Sequence, residues 1–261
     1  MESKEKIIFF GNGMLAEYAL AVLKEDFEVI FHATRKEDLE RAKELKREHP
    51  EAHGVLASFG VLIKSDVLDL FEPEGILNVH PSLLPLYRGA SPIESAILAG
   101  DNDFSVSIMK LVKAMDAGPI YWRTTLSGLP LDKTVIYKAL AEAGARWICD
   151  NLADLPEPVV QDDEKATFCG KLDKSMGALT PNTDTAEQTL RKFVAFQGFQ
   201  KPKYAIFGIN CIILEAHILE QGETALLTIP CADGLFVAID RLQPEGRKAM
   251  DAKSFLNGYK K

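Results

Sequence analysis

Short apolar runs alternate with helical stretches through the first 150 residues, and this alternation constrains the fold most. Residues 6–10 (KIIFF) stop at Gly11 and Gly13, and 14–24 (MLAEYALAVLK) follow with apolar residues at helical spacing. Residues 27–31 read as a second strand and 36–47 as a charged helix. Residues 54–57 and 75–79 read as two more strands, with 66–71 helical between them. Segments 105–111 and 120–126 add strands, and 132–152 is a long helix. Strands separated by helices need crossover connections, so the pattern predicts an α/β domain around a parallel sheet.

Beyond this block, 154–165 (DLPEPVVQDDEK) carries two prolines and an acidic cluster and reads as a linker. The expected boundaries are 1–153 for the first domain, 154–170 for the linker and 171–261 for the second domain. In the second, 184–196 reads as a helix, with Thr183 or Asp184 at its cap and Glu187 in its first turn. Alternating segments 204–207, 211–216, 225–229 and 235–240 follow, with turns at 208–210, 221–222 and 232–234. Several short strands in so few residues predict a small antiparallel barrel.

Charge separates the two parts. The chain carries −8 overall, whereas residues from Lys165 onward hold a net +3. An acidic first part argues against general affinity for nucleic acid, while a local basic patch in the second part is compatible with it. The apolar runs fall well short of the roughly 20 residues that span a bilayer, and the first residues lack a signal-peptide pattern. Cys149, Cys169, Cys211 and Cys231 form no CxxC pair and have no His at zinc-ligand spacing, so reduced thiols, no metal and a monomeric cytoplasmic protein are expected.

Gly11-Asn12-Gly13 follows a strand and precedes a helix, but Ala16 interrupts GxGxxG and no acid closes the second strand. A packing turn fits better than a dinucleotide site. The densest chemistry lies in 77–89 (LNVHPSLLPLYRG), at the C-terminal end of an inferred parallel strand, the edge where ligands bind in open α/β sheets. Asn78 and His80 stand two apart and share a face. Asn78 can donate two hydrogen bonds to an oxyanion, and His80 can act as acid or base near neutral pH. Alone, His80 fits a structural residue equally well. Asp116, in 116–119 (DAGP), alone fits an Asx-turn; beside a histidine it would raise the imidazole's basicity and fix its tautomer.

The segment 78–100 (NVHPSLLPLYRGASPIESAILAG) and the later DAGPI resemble the folate-dependent formyltransferases. Within 88–98, RGASPIESAIL is similar to the branch acting on methionyl-tRNA, as is 242–260 (LQPEGRKAMDAKSFLNGYK). The resemblance implies a Rossmann-like formyltransferase domain followed by a small OB-like β-barrel. It implies Asn78, His80 and Asp116 as the catalytic trio. It places Phe59, Gly60, Val61, Leu62 and Ile63 around the pterin, and Ser82, Leu83, Leu84 and Pro85 on the folate. Arg88 and Gly89 would meet the acceptor. It further implies 10-formyltetrahydrofolate as formyl donor and initiator methionyl-tRNA as acceptor. In this reading Asp116 and His80 assist removal of the amine's proton, while Asn78 and His80 stabilise the oxyanion.

The basic residues expected to meet tRNA are Lys171, Lys174, Lys201, Lys203, Arg247 and Lys248. One departure bears on the acceptor. The tRNA branch carries a long basic glycine-rich loop after the second strand, whereas here 32–36 (HATRK) run almost directly into a helix. A sugar-nucleotide N-formyltransferase therefore stands as the alternative. A non-catalytic folate- or tRNA-binding module is the second alternative, and it has no need for the whole trio.

Overall fold

The computed structural model describes residues 4–198 and 202–259. The chain divides into two compact units, one of residues up to 93 together with 102–171, the other of 94–101 together with those from 172 onward.

The first unit runs β1 (Lys6–Gly11), α1 (Gly13–Asp26), β2 (Glu28–Ala33), α2 (Leu39–Glu48), β3 (His53–Ala57), α3 (Ser65–Leu68), β4 (Ile76–His80) and β5 (Arg88–Gly89). The helix α4 (Pro92–Ala99) leads toward β6 (Phe104–Lys110), β7 (Ile120–Leu126), α5 (Lys133–Asn151) and β8 (Phe168–Cys169). Its main sheet has the order β2-β1-β3-β4-β6-β7. The first four of these strands pair in parallel, as the alternation predicts. The outer two, whose direction the pattern leaves open, pair otherwise: β6 runs antiparallel to β4, and β7 antiparallel to β6. Residues 111–119 between them are too few for a crossover, which needs about a dozen or more.

Helices cover both faces, so the central strands are largely apolar, with Asn78 and His80 of β4 as buried exceptions. Ile7, Ile8, Phe9 and Phe10 are fully buried. Ile8 and Phe10 pack with Ala42, Leu45, Leu68 and Phe71 on one face, and α1 packs along α5. Each such side chain contributes roughly 1.5–3 kcal/mol by leaving water. At the edge that matters for function, a Cβ on Gly11 would stand 2.2 Å from the Ala57 carbonyl oxygen, so only glycine lets β1 end against β3. Gly11 is thus the packing glycine that the interrupted motif suggests.

Segment 154–170, read from composition as a linker, is laid along the first unit. Ile120 and Val159 exchange backbone hydrogen bonds of 2.8 Å, and β8 pairs in parallel with β5. The prolines and acidic residues reflect an irregular, partly exposed path.

The second unit contains α6 (Ala186–Phe196), β9 (Lys203–Ile206), β10 (Ile209–Ile218), β11 (Thr228–Pro230), β12 (Phe236–Pro244), β13 (Met250–Asp251) and α7 (Ala252–Tyr259). The cap of α6 is Thr185, one or two residues later than expected. Its hydroxyl accepts from Gln188 N–H, and the Gln188 amide oxygen accepts from Thr185 N–H. Asp184-x-x-Glu187 and Thr185-x-x-Gln188 both resemble a capping box; Asp184 instead accepts from Thr180 and Lys192. The strands form an antiparallel half-barrel, ordered β11-β12-β10-β9 with β13 on β12. Register shifts around Glu215 in β10 bend the sheet. Among the described residues, no helix is long and apolar enough to cross a membrane.

Candidate active site

The strand order turns back at β1, since β2 lies on one side of it and β3 on the other. Open α/β sheets bind ligands outside the carboxyl ends of strands at such a point. A cavity of about 480 Å³ opens there in the first unit, within the usual range for small-molecule sites. Leu15 of α1, 58–63 after β3, Asn78 and His80 of β4, Lys113, Met115 and Asp116 before β7, Tyr137 of α5 and Lys171 line it.

Asn78 and His80 share a face of β4, as strand periodicity requires, and that face lines the cavity. Asn78 is only 5% exposed, yet its side-chain amide has no hydrogen-bond partner among the described residues. A buried amide left unpaired costs about 1–3 kcal/mol. Its donors are thus held ready for whatever enters the cavity.

His80 is 4% exposed. Its Nε2 lies 3.2 Å from the Tyr87 carbonyl oxygen. A carbonyl only accepts, so this bond assigns the ring hydrogen to Nε2 and leaves the Nδ1 lone pair unprotonated. Nδ1 sits 3.7 Å from Asp116 Oδ1, beyond hydrogen-bond length but close enough for charge to act. Burial pushes the imidazole's pKa below its ordinary value, against the opposing pull of Asp116 and of the Tyr87 carbonyl. His80 is therefore a neutral base at pH 7, with a carboxylate beside the nitrogen that would receive the proton.

Asp116 is a non-glycine residue with φ of +47°. Its Oδ2 accepts from the Gly89 N–H at 2.8 Å. Its carbonyl oxygen accepts from the Gln161 amide at 2.9 Å. The carboxylate thus reaches across to a distant segment, and the Asx-turn reading is set aside. A Cβ on Gly118 would stand 1.8 Å from the Lys110 carbonyl oxygen, so this turn requires glycine to fold back against β6.

The sequence-predicted residues divide by position. Phe59, Gly60, Val61, Leu62 and Ile63 all line the cavity, and the main-chain groups of 59–63 make no hydrogen bond among the described residues. Ser82, Leu83, Leu84 and Pro85 do not line it. The Ser82 hydroxyl donates to the Leu86 carbonyl, and Leu84 is fully buried against Met109 and Ile120, because the loop after β4 turns inward. Gly89 lines the cavity, whereas Arg88 is buried and donates to Gln161 and Asp163. Lys171 lines the cavity. Lys203, Arg247 and Lys248 are exposed on the second unit; the Lys174 side chain and Lys201 lie outside the described residues. Residue patterns miss Lys113, Met115, Tyr137 and Gln161. Tyr137 stands one helical turn from Lys133, whose ammonium lies 5.8 Å from the ring centroid, but nothing local marks Tyr137 as a cavity wall.

Comparison with known proteins is consistent with this geometry. The formyl transferase family model matches residues 12–152, and the model for the formyl transferase C-terminal domain matches 172–260. A methionyl-tRNA formyltransferase of Dehalococcoides mccartyi is 34% identical over 223 residues, covering 79% of this chain and 70% of its own. Among solved structures, methionyl-tRNA formyltransferase from Clostridium thermocellum superposes with a TM-score of 0.68 at 17% identity, covering 92% of this chain and 98% of that one. HypX from Aquifex aeolicus in complex with tetrahydrofolic acid superposes with a TM-score of 0.71 at 15% identity, covering 98% of this chain and 47% of that one. At such identities the two structures speak for the fold alone.

Proposed function

We propose, because this chain belongs to the formyl transferase family, that it moves a formyl group from 10-formyltetrahydrofolate to the amino group of initiator methionyl-tRNA in the cytoplasm. The observation that carries this reading is the buried, unpartnered Asn78 amide sharing one cavity with neutral His80 and Asp116.

The cavity suits the donor. Leu15, Leu56, Phe59, Val61 and Ile63 give it apolar walls for a flat heteroaromatic ring. The open main-chain groups of 59–63 offer donors and acceptors to a ring edge. The folate supplies an activated one-carbon unit; the remaining work falls to the chain. An ammonium has no lone pair for attack, so His80 Nδ1 takes a proton from the incoming amine. Asp116 favours the imidazolium that results. The Asn78 amide donates to the oxygen on which negative charge develops. No side-chain nucleophile takes part, so transfer is direct: as the new amide C–N bond forms, the bond between the formyl carbon and N10 of the donor breaks, and the proton held by His80 passes to the leaving N10.

The acceptor choice rests on relatives of 34% identity and on the second unit's exposed cations. Lys203, Ile212 and Gln243 occupy one rung across β9, β10 and β12. The Gln243 side chain donates to the Arg247 carbonyl, which brings the turn carrying Arg247 and Lys248 to the same sheet. The connection after β2 is short, with Asp38 accepting from Thr34 and Arg35 N–H groups. Phosphate contacts are therefore assigned to the second unit. The test is transfer of labelled formyl from 10-formyltetrahydrofolate to charged initiator tRNA, beside amino-sugar nucleotides. Labelled methionyl-tRNA is expected; labelling of the amino-sugar alone contradicts the choice of acceptor.

A further inference from the structure

Gln161 lies in the stretch that composition marks only as a connection, yet it is 8% exposed and fully bonded. Its Oε1 accepts from Arg88 Nε at 3.0 Å and Nη2 at 2.8 Å. Its Nε2 donates to the Asp116 carbonyl at 2.9 Å and the Gly118 carbonyl at 2.7 Å. A guanidinium only donates and a carbonyl only accepts, so the amide fits in one orientation. A glutamate of the same length would set a carboxylate against two carbonyl oxygens. Arg88 is itself buried and anchored by Asp163 at 2.7 Å.

These bonds converge on Asp116 from two directions. Gln161 holds its main-chain carbonyl, and the N–H of Gly89, next to Arg88, holds its carboxylate. Both grips thus lead back to residues 88 and 89. A left-handed backbone costs a residue other than glycine about 1–2 kcal/mol, and it persists only where the surroundings enforce it. We propose that Gln161, backed by Arg88, is a positioning residue that holds Asp116 where its carboxylate addresses His80. The inference rests on the reading that Asp116 and His80 serve formyl transfer. It gives the catalytic carboxylate a support that spans the 45 residues separating Gln161 from Asp116.

The charged and titratable side chains lining the cavity with His80 are Asp116, Lys113, Lys171 and Tyr137. Among the described residues, only Asp116 comes within ion-pair distance of the imidazole. A loosened Asp116 would stabilise the imidazolium less, so the imidazole would titrate at lower pH. The experiment measures single-turnover transfer to methionyl-tRNA by the full-length protein with donor saturating. Gln161→Ala should lower the rate about tenfold, leave the donor KM within twofold, and move the acid limb of the pH–rate profile to lower pH. In an Asp116→Asn background the same substitution should change the rate less than twofold, because the group it acts through is gone. Gln161→Met, close in length and volume, answers the same question if the alanine variant fails to fold. A wild-type rate and unshifted acid limb, or an equal loss in the Asp116→Asn background, overturns the inference. A wild-type protein that transfers no formyl group overturns the function beneath it, which is a separate result.

Discussion

In the first unit's cavity, the three groups that face one another are shielded from water: Asn78 and His80 are each about one-twentieth exposed, and Asp116 is held by its carboxylate and its carbonyl. On the second unit's half-barrel, the cations of interest stand exposed, and Lys203, Arg247 and Lys248 form no ion pair among the described residues. Buried groups act through direction in a low dielectric, and exposed ones through summed charge in water. Damage to the first should therefore appear in turnover, and damage to the second in acceptor affinity and its salt dependence.

The largest effect should come from the cavity. Asn78→Ala, His80→Ala and Asp116→Ala should each lower kcat by a factor of about a hundred or more, with donor binding changed little. Rapid-quench assays at saturating donor check this. A variant that keeps wild-type turnover contradicts the role given to its residue.

Charge reversal on the half-barrel should act differently. Lys203→Glu with Arg247→Glu and Lys248→Glu should raise the KM for methionyl-tRNA by about tenfold or more and flatten its salt dependence, leaving donor affinity unchanged. KM values at several salt concentrations read this out. An effect on the donor instead of the acceptor would dissolve the contrast between the regions.

The pH dependence sharpens the comparison further. His80 titrates below its ordinary value because it is buried. The unfolded chain therefore binds this proton more readily, so the contribution is intact above about pH 6.5 and is lost as pH falls through the folded value. Denaturant titrations should show stability falling on acidification by up to about 1.4 kcal/mol per pH unit from this one group. A smaller fall in His80→Asn is the expected result, and an unchanged fall is the contrary one. His217 on the half-barrel is raised by Asp240 and Glu223, so its contribution is present below about pH 6.5 and fades as pH rises through its folded value. With the residue exposed, that effect should be small.

The smallest effect concerns folding alone. Thr185→Ala removes the cap of α6 and should cost about 1 kcal/mol in thermal denaturation while leaving formyl transfer intact. A loss of activity at full folding would contradict the purely structural role of this cap.

How far these features can be read from the residues depends on the distance over which they are encoded. Asn78 and His80 were legible because a strand's period of two forces them onto one face. The parallel core was legible because its strands are short and mostly apolar and helices intervene. The direction of β6 was not legible because apolar alternation does not carry strand direction, and the short 111–119 connection fixes only β7 against β6. The cap of α6 slipped because two overlapping residue pairs satisfy the same pattern. Ser82 and Leu84 sit in a specific motif, but whether its side chains face a ligand or the core depends on how the loop turns. Gln161 had no local signal at all, since its partners lie 43, 45 and 73 residues away and meet it only through the fold.

The most direct test of the central claim is transfer of labelled formyl from saturating 10-formyltetrahydrofolate to charged initiator tRNA, measured side by side for the full-length protein and Asn78→Ala. The predicted result is labelled methionyl-tRNA from the wild type, about one hundredth of that rate from the variant, and a donor KM that differs by no more than about threefold. No label on methionyl-tRNA from the wild type, or equal rates from the two proteins, would contradict the account.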